Sequence, residues 1–223
     1  MLLRLQTVEV MILWQYNKRI KMTEQTRFKE KLKKKLLSIK PDFNDHDLET
    51  GIERFKLFEG KAGDLIVKKG ERCDTIFLAE KSISRCFVWD ENYEEKTIWI
   101  EPEMSFITEF KSFKSGEKSG ANIHLYEDSL VYLIEREQLF NLYESYHEWA
   151  LLGILFLEEF LHYTMAFSHQ MHFNNATQNY KLIEEKYLRY LNIVPLKHIA
   201  SRLNISPVHL SRIRNRAGEN SKN

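Results

Sequence analysis

The stretch "LKHIASRLNISPVHLSRIRN", Leu196 to Asn215, decides the fold. Leu196, Ile199, Ala200 and Leu203 recur at helical spacing and share one face of a two-turn helix. Pro195 precedes that helix, where a missing N–H costs nothing. Asn204 follows it, a residue that tolerates the left-handed backbone of a helix end. Ser206 then offers a capping hydroxyl, and Pro207 a first helical residue with its φ already set. Leu210 and Ile213, three apart, give the second helix a buried side. Two short helices joined by a tight turn, with the small Ala200 where they cross, make a helix-turn-helix. The alternative is a structural helical hairpin that touches no DNA. Ser206, Pro207, Val208, Ser211, Arg212 and Asn215 face outward, with Arg214 and Arg216 flanking. Arginine can pair bidentately with guanine in the major groove, and Ser and Asn can reach bases or phosphates. Asn215, Arg212 and Ser211 are therefore the first choice as base or phosphate contacts, with Ser206, Val208 and His209 next.

The rest of the chain supports a polyanionic partner at that end. The net charge is only +1 over 223 residues, but from Ala176 onward nine Lys and Arg face three acids. That end carries +6 and the remainder −5. Enough apolar and aromatic residues are present for real cores. Cys73 and Cys86 lie at no metal-ligand or redox-pair spacing and fit a reducing, cytoplasmic compartment. The longest apolar run, Trp149 to Leu157, is too short to span a bilayer, so no membrane partner is expected. Residues 1–22 read as an N-terminal extension, with Met11 and Met22 as alternative starts.

Upstream, residues 23–146 read as one sensor-like domain. Phe28 to Ile39 is expected to be an exposed, lysine-rich helix, read as a solvated face rather than a nucleic-acid contact. Asp45 to Leu57 is a short amphipathic segment. From about Phe58 the apolar period becomes two. Short strands alternate with turns at Lys68 to Glu71, Asp90 to Tyr93 and Glu127-Asp128. That spacing predicts an antiparallel roll. Arg136 to Tyr146 is a short helix. Residues 147–175 form a long helix and a hinge at Asn174-Asn175. The helix is apolar on more than one face; one stripe suits the roll, and its own twin in a homodimer best explains the second. Residues 176–223 complete the head, beginning with a helix from Ala176 to about Leu191.

A roll, a long helix and a C-terminal helix-turn-helix in this order resemble the Crp/Fnr family of bacterial transcription regulators. The resemblance covers about Asp45 to Arg216. "VPLKHIASRLNISPVHLSRIR" (Val194 to Arg214) and "NATQNY" (Asn175 to Tyr180) look like Bacteroidetes-type members. "KKGE" (Lys68 to Glu71) looks like the family's first roll turn, and Ser112 to Ser129 like its ligand cassette. The resemblance implies an α+β chain. It has a cyclic-nucleotide-binding-like antiparallel jelly roll, a dimerisation helix and a (winged) helix-turn-helix. The implied partners are double-stranded DNA, a second copy and RNA polymerase.

The cassette departs from the family's pattern. Glu109 holds the ribose-binding Glu position, but Thr108 replaces its Gly, Ser119 replaces the phosphate-binding Arg, and Gly120 follows. A buried phosphate without a cation is costly, and Lys118 points the other way on a strand. The expectation is a degenerate roll, with Thr108, Glu109, Lys118, Ser119 and Gly120 lining a candidate effector pocket that does not take cyclic AMP. Pro207 and Val208 stand where many relatives have polar base readers, so base specificity is expected to differ, and Val208 suits a thymine methyl. No cofactor is expected, and the effector is unknown. His162, His169 and His172 read as a polar patch rather than a metal site. No catalytic set stands at recognisable spacing, so an enzyme is not expected. Two alternatives remain open: a regulator answering a nucleotide-like effector through a non-standard cassette using Glu109 and Lys118, and a signalling module that binds no DNA.

Overall fold

The computed structural model describes residues 26–186 and 188–220. The expected extension at residues 1–22 lies outside them. The first element, α1, covers residues 26–39. It is not simply an exposed helix: Phe28, Leu32 and Leu36 recur at i, i+4 and i+8 and are fully buried, while its lysines take the other side. A charge run on one face concealed an apolar stripe on the other. Helix α2 (Asp45–Ile52) follows, capped by the Asn44 side chain, which accepts from the backbone N–H of His46 and Asp47.

Eight strands then build two antiparallel sheets: β1 (Lys56–Gly60), β2 (Leu65–Val67), β3 (Thr75–Ala79), β4 (Ser84–Trp89), β5 (Glu95–Glu101), β6 (Phe106–Ile107), β7 (Asn122–Leu125) and β8 (Ser129–Glu135). One sheet runs β1-β8-β3-β6 and the other β2-β7-β4-β5. A short helix, α3 (Phe110–Ser115), lies between β6 and β7. The facing sides of the sheets enclose a core of Val67, Phe77, Cys86, Ile107, Ile123 and Val131. The outer side of the first sheet presents Leu78, Tyr132 and Ile134 to α1, α2 and the next two helices, α4 (Arg136–Ser145) and α5 (His147–Phe173). Burial on both sides explains why "SLVYLIE" in β8 is nearly continuously apolar rather than alternating.

Trp149, Leu152 and Phe156 mark the stripe of α5 that faces the roll; the first two are buried, and the Phe156 ring meets Phe106 edge-on. The apolar run of the sequence stops at Leu157, but the helix does not. Glu158 and Glu159 are good helix formers, and α5 continues unbroken to 27 residues, long and apolar enough by length and composition to cross a bilayer. Asn174 ends it in extended backbone.

The head contains α6 (Ala176–Lys186), α7 (Leu188–Ile193), α8 (Leu196–Arg202) and α9 (Pro207–Asn220). Among the described residues it has no strand, and none of them forms the expected wing. Only Val194 and Pro195 separate α7 from α8, which leaves no chain for a hairpin there. The head is seated on the outer side of the second sheet, where Ile83 and Ile100 of the roll join Tyr180, Val194, Ile199, Leu203, Leu210 and Ile213 in one core.

Candidate nucleic-acid interface

The turn between α8 and α9 follows the sequence closely. Asn204 takes φ 54°, the left-handed conformation that lets the chain reverse. The Ser206 hydroxyl accepts from the His209 N–H at 3.1 Å and caps α9, with Pro207 as its first residue. Leu210 and Ile213 are buried against Ile199, Ala200 and Leu203. Ser206, Val208, His209, Ser211, Arg212, Arg214, Asn215 and Arg216 are all exposed. All eight candidate contacts are thus exposed; Ser206 lies just before α9 as its cap, and Arg214 lies on the flank, hydrogen-bonded to the buried Tyr180. Val208 is 62 % exposed, a large apolar side chain with no intramolecular use for that position.

Three of the five candidate effector residues, Thr108, Glu109 and Ser119, have their side chains engaged otherwise. Glu109 caps α3, its two oxygens accepting from the N–H of Lys111 and Ser112. Thr108 donates to the Thr75 carbonyl at 2.8 Å and touches the Cys73 sulfur. Ser119 is buried, and its hydroxyl is spent on the Ala121 backbone. Its own backbone pairs with Gly70 and Glu71 of the first turn. Lys118 and Gly120 are exposed, and Lys118 bridges Arg72 through the backbone instead of lying in a strand. Cys86, in the roll core, has its thiol pushed up to about 12 by burial and is inert at neutral pH.

Sequence reasoning missed the junction between roll and head. Arg85 and His124 are direct cross-strand partners on the outer side of the second sheet, the side the head covers. Arg85 is fully buried. Its Nε donates to the Thr97 hydroxyl at 2.9 Å, its Nη1 to Glu95 at 2.6 Å, and the guanidinium lies over the Phe87 ring. From α8, His198 Nδ1 lies 2.8 Å from the Tyr126 hydroxyl, and its Nε2 lies 3.6 Å from Glu95. The Thr97 N–H donates to the Ser201 hydroxyl at 2.9 Å. Arg202 stacks over Phe167 of α5 at 3.6 Å. Arg189 of α7 reaches Glu127 and Glu103. Burial, and then the Arg85 charge, push His124 and His198 down to about 4. Burial pushes the Glu95 carboxyl up, but the bond and charge of Arg85 outweigh it and leave Glu95 below its ordinary value. The Nη2 of Arg85 and the Nε2 of both histidines are buried without a hydrogen-bond partner among the described residues. The available signal was Arg85 itself, a lone charge in the apolar run "SISRCFVW".

No family model matches the chain, and no curated protein matches it. Solved structures do. FixK2 from Bradyrhizobium japonicum superposes with a TM-score of 0.62 at 12% identity, covering 75% of this chain and 86% of that one. The c-di-GMP responsive global regulator CLP of Xanthomonas campestris gives 0.57 at 12%, covering 80% and 93%. A cyclic nucleotide-binding domain from Methylobacillus flagellatus gives 0.54 at 14%, covering 63% and 82%. The chain has the fold of the Crp/Fnr regulators: a roll of the kind seen in cyclic nucleotide-binding domains, a long helix and a helical head.

Proposed function

We propose that this chain is a sequence-specific DNA-binding transcription regulator that works as a homodimer, and that its roll does not bind cyclic AMP. The observation that carries the reading is α9: a capped helix whose inner side is buried and whose free side is basic, polar and uncovered. Such a helix fits a major groove, with Arg212 and Asn215 toward bases or phosphates and Val208 toward a thymine methyl. In the roll, Ser119 supplies no cation for a cyclic phosphate, and Glu109 is occupied as a helix cap. The exposed apolar side of α5 is read as the contact with the second copy. A cytoplasmic location and contact with RNA polymerase belong to the same reading, as does the absence of catalysis.

The test is fluorescence anisotropy on DNA from upstream of the protein's own coding sequence, with a salt titration. Arg212→Ala is expected to weaken specific binding by about 1–3 kcal/mol if Arg212 reads a base, or to lower the salt slope by about one if it holds a phosphate. Cyclic AMP is expected to change neither. Unchanged affinity and unchanged slope in Arg212→Ala would show that the docking is wrong.

A further inference from the structure

A cleft of about 520 Å³ opens between α1, the turns at Glu80-Lys81 and Glu103-Met104, and Arg189 of α7. It lies outside the roll interior, and its walls come from both halves of the molecule. Five cations line it: Lys31, Lys34 and Lys35 on one face of α1, Lys81 opposite, and Arg189 from the head. Two carboxylates face them, and both are already paired. Glu80, with its side chain 1% exposed, is held by Arg27 at 3.3 Å and Lys31 at 2.7 Å. Glu103 is held by Arg189 at 2.9 Å. Lys35 also lies near Glu101, a carboxyl that burial pushes up to about 7. Lys34, Lys35 and Lys81 make no ion pair among the described residues.

The lining therefore carries a net charge of +3 around an open surface hollow. Crowded like charges in a cleft cost energy that a bound anion removes. Cations carried by three separate elements, α1, the turn at Lys81 and α7, suit a ligand with several phosphates better than one with a single phosphate. Arg189 gives such a ligand a mechanical consequence. Its other nitrogen holds Glu127 at 2.8 Å, so it ties the head to the roll, and an anion in the cleft competes for that tie.

We propose that this cleft binds a polyphosphorylated small molecule, of the nucleoside triphosphate class, through Lys34, Lys35, Lys81 and Arg189. The proposal deepens the reading of the chain as a regulator by giving the effector a site outside the roll.

Calorimetry on the full chain without DNA tests it, with inorganic tripolyphosphate and ATP as probes at about 0.15 M salt, where weak surface attraction is largely screened. One saturable site per chain is expected for both. Affinity is expected to fall at least about tenfold in Lys34→Gln/Lys81→Gln, whose residues are exposed and leave the core intact, and in Arg189→Gln. Arg212→Ala is expected to bind both probes as the parent does. Absence of saturable binding at millimolar tripolyphosphate overturns the proposal. So does equal affinity in the double lysine variant. If that variant instead loses affinity for duplex DNA while tripolyphosphate neither binds nor competes, the lysines serve a nucleic-acid backbone and the proposal falls. Probe binding in a chain that binds no DNA would uphold the site and remove only the regulator reading.

Discussion

Gly51 shows how closely single residues set the base of the long helix. A Cβ placed on it would lie 1.9 Å from Cζ2 of Trp149 and 2.1 Å from Cε2. The indole cannot swing aside freely, because its Nε1 donates to the Asp47 carbonyl at 2.7 Å and its ring meets Phe43 edge-on. Gly51→Ala is expected to lower stability by about 1–3 kcal/mol or more, read as a lower urea midpoint with an unchanged slope. An unchanged midpoint would mean that α2 and α5 do not pack as described. No sequence signal marks this glycine, since its constraint is a contact across 98 residues rather than a turn. The head is the opposite case. Asn204, Ser206, Pro207, Leu210 and Ile213 each have a local role that residue type declares: left-handed backbone, cap, preset φ, buried face. Those residues were legible, whereas Arg85 and His198, which meet only through tertiary structure, were not.

At the scale of elements, α5 carries two stripes about two-fifths of a turn apart. Trp149, Leu152 and Phe156 serve the roll. Ile154, Leu157, Leu161 and Met165 recur at three- and four-residue spacing and are all exposed. Covering such a side chain in a dimer seam gains about 1.5–3 kcal/mol each, enough for several together to hold two chains. Ile154→Arg/Leu161→Arg is expected to convert a dimer into a monomer in light scattering, without loss of the roll's thermal transition, because neither residue touches the roll core. A parent chain that runs as a monomer, or that needs detergent to stay in solution, would reject the pairing. The second stripe was visible in the sequence because helical period alone reports it. The buried stripe of α1 was not, because Lys29 to Lys35 dominates the same residues by charge. The strands were legible from their period and turns, but not which sheet face the head would cover.

For the molecule as a whole, that covered face makes the seating of the head depend on pH. His124 on β7 is faced by Arg85 of β4, Glu95 of β5, Tyr126 of its own segment and His198 of α8; His198 is faced by the same groups and by Lys197. With the head seated both imidazoles are held near 4, and with it released they return toward the ordinary value of about 6.5. The released form then binds more protons, so falling pH favours release. Seating is complete above about 6.5 and is lost progressively toward 4, each histidine weighing against it by about tenfold one unit below its free value. Glu101, at the same junction, has the opposite sign. Burial raises it to about 7 against the pull of Arg202 and Lys35, so its charged form opposes the seated state as pH rises through 4.5 to 7. The two effects partly cancel between pH 5.5 and 7, and Glu101→Gln is expected to expose the histidine slope. The measurement is energy transfer between dyes on the roll and on α9, from pH 7.5 to 5.0. In Glu101→Gln the transfer is expected to fall steadily below pH 6.5. Adding His124→Phe and His198→Phe, which cannot titrate, is expected to flatten it. A slope that survives both replacements, or that runs toward release at high pH, would place the proton-sensitive groups elsewhere.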